Sequence, residues 1–276
     1  MVKDLVVNLT GGHPQDFAAD FALSMAASYA AHALGVGFIY EPVIPGDMLG
    51  GIPTDLIDVQ REENRKAAEV AASRFEAAAK AGSISAETRI LDASLAGAPD
   101  LFGRIARRYD IAVVGQARRE QGASEELLIE GALFGSGRPI VVVPYTHKEG
   151  LKLDRVLICW DGSRPAARAI ADAIPLLARA KTVEIVVVIG ERDKSGELTG
   201  TNMRRHLVRH GIETEIKHIV ASGGVAQNAI LAHAAASGAT FMVMGGYGHS
   251  RLREFILGGV TRGILKSMPV PVLMSH

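Results

Sequence analysis

The chain states one pattern twice, and that repeat limits its architecture more than any other feature. Near the N-terminus, Lys3-Asp-Leu-Val-Val-Asn-Leu-Thr10-Gly11 corresponds to Leu153-Asp-Arg-Val-Leu-Ile-Cys-Trp-Asp161-Gly162. Further on, Tyr109-Asp-Ile-Ala-Val-Val-Gly115 corresponds to Ala239-Thr-Phe-Met-Val-Met-Gly245. The closing segments correspond as well, Arg138-Pro-Ile-Val-Val-Val-Pro144 with Val270-Pro-Val-Leu-Met-Ser275. Each half is therefore a unit of roughly 130 to 150 residues, an ordinary domain size. The seam falls near His147-Lys-Glu-Gly150, a short polar stretch between apolar segments, and divides the chain into domains 1–148 and 149–276.

Within each half, short apolar runs alternate with helical patterns. Strands are expected at 4–9, 36–40, 87–91, 110–115 and 139–144, and again at 155–160, 183–189, 214–219, 241–245 and 270–274. Ala-rich helical segments lie between the first set, at about 15–34, 55–81, 95–108 and 124–134. Asp16, Asp55 and Ser163 (with Pro165 after it) mark helix starts, because their side chains accept hydrogen bonds from unpaired N–H groups of a first turn. Continuous apolar strands alternating with helices predict an α/β fold: two doubly wound domains, each a parallel sheet covered on both faces.

Composition removes several function classes. Lys+Arg and Asp+Glu both number 30, so there is no net charge to draw the chain to nucleic acid or to an anionic membrane. The single cysteine, Cys159, can form no intramolecular disulfide, which fits a reducing compartment. With 48% hydrophobic residues, no bilayer-length apolar run and no signal-peptide pattern, the expected setting is soluble and cytoplasmic.

The segment richest in chemical information is Phe241-Met-Val-Met-Gly245-Gly-Tyr-Gly248-His-Ser-Arg-Leu-Arg-Glu-Phe-Ile-Leu-Gly258-Gly259-Val-Thr261. A strand runs into glycines, and a helix begins after a second glycine pair. Glycine after a strand lets backbone N–H groups approach a phosphate that side chains would exclude. The spacing Gly245-x2-Gly248-x9-Gly258 resembles the nucleotide-binding signature of the universal stress protein family. That signature usually ends Gly-Ser or Gly-Thr, whereas here Gly259 stands in the last position. Asp161-Gly-Ser163 after the first strand of the second half adds to the resemblance, and the first half shares it by layout.

The resemblance implies a five-stranded sheet in the order 3-2-1-4-5 in each half. It also implies last strands that pair between subunits, which a tandem chain would satisfy internally as a pseudo-dimer. Exposed mixed-charge helices such as 55–81 would allow a further homodimer. In an open sheet of this order, ligands bind beyond the carboxyl ends of the strands where the order reverses, between the first and fourth. Asp161 and Gly245 converge there. By resemblance, Asp161 with Gly162 would hold adenine or ribose, and Val188 and Ile189 would line the base. Backbone donors from Gly248 to Gly259 would meet phosphate, with His249, Val260 and Thr261 beside them and Arg251 and Arg253 as further partners. The ligand so implied is ATP or another adenine nucleotide, with or without Mg2+. Read without the resemblance, Asp161-Gly-Ser163 is equally a turn and helix cap, and Gly258-Gly259 equally a site of tight helix packing.

The first half departs from this pattern. Thr10 stands in the place of Asp161, and Gly115 is followed by Gln-Ala-Arg118-Arg119, with Arg118 where the second glycine would be. Neither Gly131 nor Gly135-Ser136-Gly137 restores the spacing, so this half reads as structural or regulatory. His206 and His210 share a helix face, but Arg204, Arg205 and Arg209 surround them, which describes a solvated basic helix better than a metal site. Cys159 lies within a strand beside Trp160 and reads as packing rather than as a nucleophile. No Walker A lysine motif, nucleophile elbow or acidic phosphoacceptor cluster occurs. The leading functional reading is a non-enzymatic stress-response protein that binds an adenine nucleotide and acts through protein partners. The competing readings are a slow ATP hydrolase using the same crevice and a ligand-free scaffold, the latter favoured by Gly259.

Overall fold

The computed structural model describes residues 1–41, 54–118, 122–189, 199–221, 225–247 and 259–276. The first half contains strands β1 (Asp4–Leu9), β2 (His32–Tyr40), β3 (Ala86–Ala93), β4 (Ile111–Gly115) and β5 (Ile140–Val143). Between them run helices α1 (Phe17–Tyr29), α2 (Thr54–Ala81), α3 (Ala98–Ala106) and α4 (Gly122–Gly135). The second half contains β6 (Arg155–Cys159), β7 (Thr182–Ile189), β8 (Glu215–Val220), β9 (Phe241–Gly245) and β10 (Val272–Ser275). Its helices among the described residues are α5 (Arg164–Leu177), α6 (Thr201–Arg209), α7 (Ala226–Ser237) and α8 (Val260–Ser267).

The ten strands among the described residues form a single sheet in the order β3-β2-β1-β4-β5-β10-β9-β6-β7-β8. Each half therefore has the order 3-2-1-4-5, with every pairing inside a half parallel. The halves join where β5 and β10 pair antiparallel, with Val142 opposite Val272 and Ile140 opposite Met274. This pairing removes two strand edges that would otherwise present unpaired N–H and C=O groups. The central strands are buried on both faces, which is why they read as mainly apolar runs, interrupted by Asn8 in β1 and Glu184 in β7.

Each face of the sheet carries one apolar cluster that continues across both halves. On one face Phe21, Met25 and Phe75 pack with Ile170, Leu176 and Phe241. On the other, Phe102, Leu128 and Ile140 pack with Met242, Ile264 and Met274.

The sequence reading overran α1. That helix stops at Tyr29, where Ala30 turns left-handed (φ 47°) and donates to the carbonyls of Ala26 and Ala27. The residues after it, His32-Ala-Leu-Gly-Val, leave the helix and begin β2, paired on one side with β1 and on the other with β3. Their alanine and leucine content favours a helix, but pairing on both sides overrides that preference.

Candidate functional site

In the second half, β6 and β9 are parallel neighbours with Cys159 level with Met244. Asp161 and Gly245 therefore leave adjacent strands at the same edge of the sheet, at the point where strand order reverses. Asp161 Oδ1 accepts a hydrogen bond from the Ser163 N–H at 2.9 Å, and Gly162 between them has φ +74°, a conformation that suits glycine. The Ser163 hydroxyl then accepts from the Ala166 N–H at 3.2 Å and caps α5, with Pro165 in its first turn. The segment is thus a turn and a cap, and it leaves the Asp161 side chain at the exposed rim.

Gly245 allows the tightest approach at this edge. A Cβ there would lie 2.5 Å from the Ala166 nitrogen and 2.8 Å from the Pro165 carbonyl carbon. The absence of a side chain lets the end of β9 sit directly on the first turn of α5. Beyond it, Tyr247 is left-handed (φ 52°) and its N–H donates to the Thr261 hydroxyl at 3.1 Å. Thr261 is buried in the first turn of α8, whose N-cap is Gly259, with no capping side chain. Half-buried Val260 follows Gly259, and Val188 and Ile189 lie half-buried at the end of β7 beside β6. The fold thus brings Asp161, Gly162, Val188, Ile189, Gly245, Gly259, Val260 and Thr261 to one edge. Gly248, His249 and Gly258, with Arg251 and Arg253, lie outside the described residues.

Burial and the nearby Asp161 carboxylate push the Cys159 thiol up to about 12, which keeps it protonated and unreactive at neutral pH. His206 on α6 and His210 at its C-cap are both exposed, their rings 4.7 Å apart. Among the described residues, no group of three or more His, Cys, Asp or Glu side chains could hold a metal, and no helix is long and apolar enough to cross a membrane.

The corresponding edge of the first half is built differently. Thr10, in the place of Asp161, donates its N–H to Asp16 Oδ2 at 2.6 Å, while Asp16 Oδ1 caps α1 through the Ala19 N–H at 3.1 Å. Burial raises the Asp16 carboxyl above its ordinary value, opposed by these two N–H groups. Past Gly115, the Gln116 amide donates to the Leu265 carbonyl at 2.7 Å and so ties this loop to the second half. The Arg118 N–H donates to Glu125 Oε2 at 2.7 Å, and the Arg118 guanidinium lies 5.9 Å from the centre of the Tyr145 ring. The space left beside Gly115 and Arg118 is about 20 Å³. That volume suits one water molecule rather than a phosphate.

Over the ends of β1 and β2 the same edge opens into a cavity of about 330 Å³. Its wall includes Asn8, Thr10, Phe38, Tyr40, Asn64 and Glu125. Burial, with a contribution from Glu125, pushes the Tyr40 phenol up to about 12, and burial raises the Glu125 carboxyl. The sequence reading missed this cavity. Its signal was Asn8, a polar residue inside the otherwise apolar run Val6–Leu9.

The sequence model of the Universal stress protein family matches residues 152–276. A universal stress protein of Synechocystis sp. is 23% identical over 174 residues, which is 60% of this chain and 57% of the relative's own length. Among solved structures, a universal stress protein from Archaeoglobus fulgidus is similar with a TM-score of 0.69 at 20% identity, covering 98% of this chain and 97% of that one. A protein of unknown function from Pseudomonas aeruginosa gives a TM-score of 0.62 at 13% identity, covering 99% and 92%. At such identities these two structures bear on the fold.

Proposed function

The second half of the chain, residues 152–276, belongs to the universal stress protein family, and from that premise we propose that it binds an adenine nucleotide at the carboxyl edge of β6 and β9. The observation that carries this reading is the meeting of Asp161 and Gly245 at the switch point, with the N-terminus of α8 held beside them through Tyr247 and Thr261. A helix N-terminus supplies N–H groups and a positive partial charge, both suited to phosphate. Asp161 supplies an acceptor at the rim for ribose hydroxyls or the adenine amino group. Val188 and Ile189 supply an apolar wall for the base, and the sequence from Gly248 to Gly258 supplies further backbone donors. ATP is the proposed ligand, with Mg2+ bound through its phosphates. The protein then acts as a nucleotide-responsive binding module in the cytoplasm, passing its ligand state to protein partners rather than turning over substrate.

One observation favours a second reading. The Asp161 carboxylate already accepts from Ser163, and the Thr261 hydroxyl from Tyr247, so the edge is knitted together without a ligand. In that reading the chain is a scaffold.

Mass spectrometry of small molecules released on denaturing the purified protein, together with thermal shift on added ATP, decides between the two. Bound ATP, or a shift that Gly248→Val abolishes, supports the binding module. No released nucleotide and no shift supports the scaffold. ADP accumulating with time after loading with ATP would identify a hydrolase instead.

A further inference from the structure

The first half carries a cavity that the nucleotide reading does not use. Two spaces meet at its carboxyl edge, both touched by Thr10 and Glu125. The one beside Gly115 and Arg118, where phosphate would follow the fourth strand, is about 20 Å³. The one over β1 and β2 is about 330 Å³, within the roughly 300–1,000 Å³ typical of small-molecule sites. A ligand can therefore enter over β1 and β2 but has no room to extend a phosphate past β4.

The wall defines the chemistry. Phe38 and Tyr40 present two rings with centroids 6.0 Å apart, tilted by 39°. Asn64 holds this corner in place by donating its amide to the Tyr40 carbonyl at 2.8 Å. Among the described residues of the wall there is no Lys or Arg, and the charged group is the Glu125 carboxylate, which repels anions. Asn8 also belongs to the wall. It is 8% exposed, and its Oδ1 accepts no hydrogen bond. An unsatisfied buried carbonyl costs about 1–3 kcal/mol, so an apolar residue would serve the empty fold better.

We propose that this cavity binds an uncharged, planar, nitrogen-bearing ring compound that has N–H donors and no phosphate. The ring lies against Phe38 and Tyr40, and its N–H groups face the acceptors Asn8 and Glu125. The two halves then hold different ligand classes, a phosphate-bearing one in the second and a phosphate-free one in the first.

The test is ligand-observed NMR on the full chain with three probes of similar size. These are 2-aminopyrimidine (ring and N–H donors), pyrimidine (the ring alone) and benzoate (an anionic ring). The expected result is saturation transfer to 2-aminopyrimidine, with pyrimidine about tenfold weaker because its donors are missing, and none to benzoate. Thr10→Phe, which fills the cavity mouth from a half-buried position, should abolish the signal. Asn8→Leu should weaken binding while leaving the melting temperature unchanged or higher, and it decides the matter if Thr10→Phe does not fold. Equal transfer to pyrimidine, transfer to benzoate, no transfer to any probe, or a signal that survives both variants would overturn the proposal. Each titration is repeated with saturating ATP, which occupies the second-half site of the proposed function, so that transfer persisting with ATP present and lost in the variants belongs to the first-half cavity.

Discussion

The rings of Phe21 in α1 and Phe241 in β9 lie stacked, with centroids 6.4 Å apart and planes 11° from parallel, although they come from opposite halves of the chain. His147, in the segment joining the halves, meets the edge of the Phe21 ring at 5.7 Å. On the same side, Tyr29 donates its hydroxyl to the Pro175 carbonyl at 3.1 Å, and the Arg179 guanidinium lies 4.1 Å from the centre of the Tyr29 ring. Together with β5–β10 pairing, these contacts join the two halves through a shared core rather than through surface docking alone.

Phe21→Ala should therefore destabilise the whole chain. Both rings are fully buried, and removing one costs about 3–5 kcal/mol. Denaturant unfolding followed by Trp160 fluorescence, which reports on the second half, should show the loss as fully as far-UV circular dichroism does. A Trp160 transition unmoved by the substitution would mean that the halves unfold independently.

Asp16 gives a pH dependence with a defined sign. Its carboxyl is raised above 3.8 chiefly by burial, so the folded state favours the protonated form. The stability it contributes is then fully present below 3.8 and is lost as pH rises through the raised value. Wild type should lose stability relative to Asp16→Asn between mildly acid and neutral pH, and urea unfolding across that range would measure it. A gap that stays constant with pH counts against this. Asp16→Ala should cost about 0.5–2 kcal/mol at acid pH, because it removes the α1 cap, and that cost should shrink as pH rises, with the same sign as for Asp16→Asn.

Much of this fold was legible in the sequence because buried parallel strands have to be continuous apolar runs, and the repeat supplied the alternation between them. The error at residues 30–34 arose because pairing with β1 and β3 is non-local and leaves no helix-breaking residue behind. The candidate site was legible in its glycines, and less so in its hydroxyls. Nothing in the spacing indicates that Thr261 would accept from the Tyr247 N–H, since that contact depends on the left-handed turn at Tyr247. The cavity over β1 and β2 was illegible for another reason. It is formed by side chains from β1, β2, α2 and α4, which only the completed fold brings together.

Gly245→Ala should be more disruptive than a glycine substitution in open space. The added methyl would lie 2.5 Å from the backbone nitrogen of Ala166, and a backbone atom at a helix start cannot move aside cheaply. The expected cost is about 1–3 kcal/mol. Gly137→Ala, at φ +67° with nothing within 4 Å, should show only conformational strain of about 1 kcal/mol. Thermal unfolding of the two variants side by side gives the comparison. Equal losses would mean that the α5 contact is looser than described.

Cys159 should resist alkylation in the native protein. A thiol pushed from 9.0 up to about 12 leaves almost no thiolate at pH 8, and the thiolate is the reacting species. Iodoacetamide labelling followed by mass spectrometry should be slow in buffer and rapid in denaturant. The same shift carries a sign: its stabilising contribution is complete below pH 9 and is lost as pH rises towards 12. Cys159 is half-buried as a residue, so rapid native labelling at pH 8 would mean that solvent reaches its thiol and leaves it ordinarily reactive.

Thr261 separates the two readings of the second-half site. Its oxygen accepts from the Tyr247 N–H at 3.1 Å, and a hydroxyl that accepts one hydrogen bond can still donate its own proton. The side chain can therefore hold the β9 turn and donate to a phosphate oxygen at once. Thr261→Ser keeps both capacities and should preserve both stability and ATP affinity. Thr261→Val keeps the shape but loses both, and leaves the Tyr247 N–H without its acceptor at a cost of about 1–3 kcal/mol. Under the binding reading, titration calorimetry should show ATP affinity falling about tenfold in Thr261→Val, the loss of one hydrogen bond to a charged group. Under the scaffold reading, Thr261→Val lowers the melting temperature and calorimetry shows no ATP heat in either protein. An ATP affinity identical in Thr261→Val and wild type would place the phosphates away from the first turn of α8.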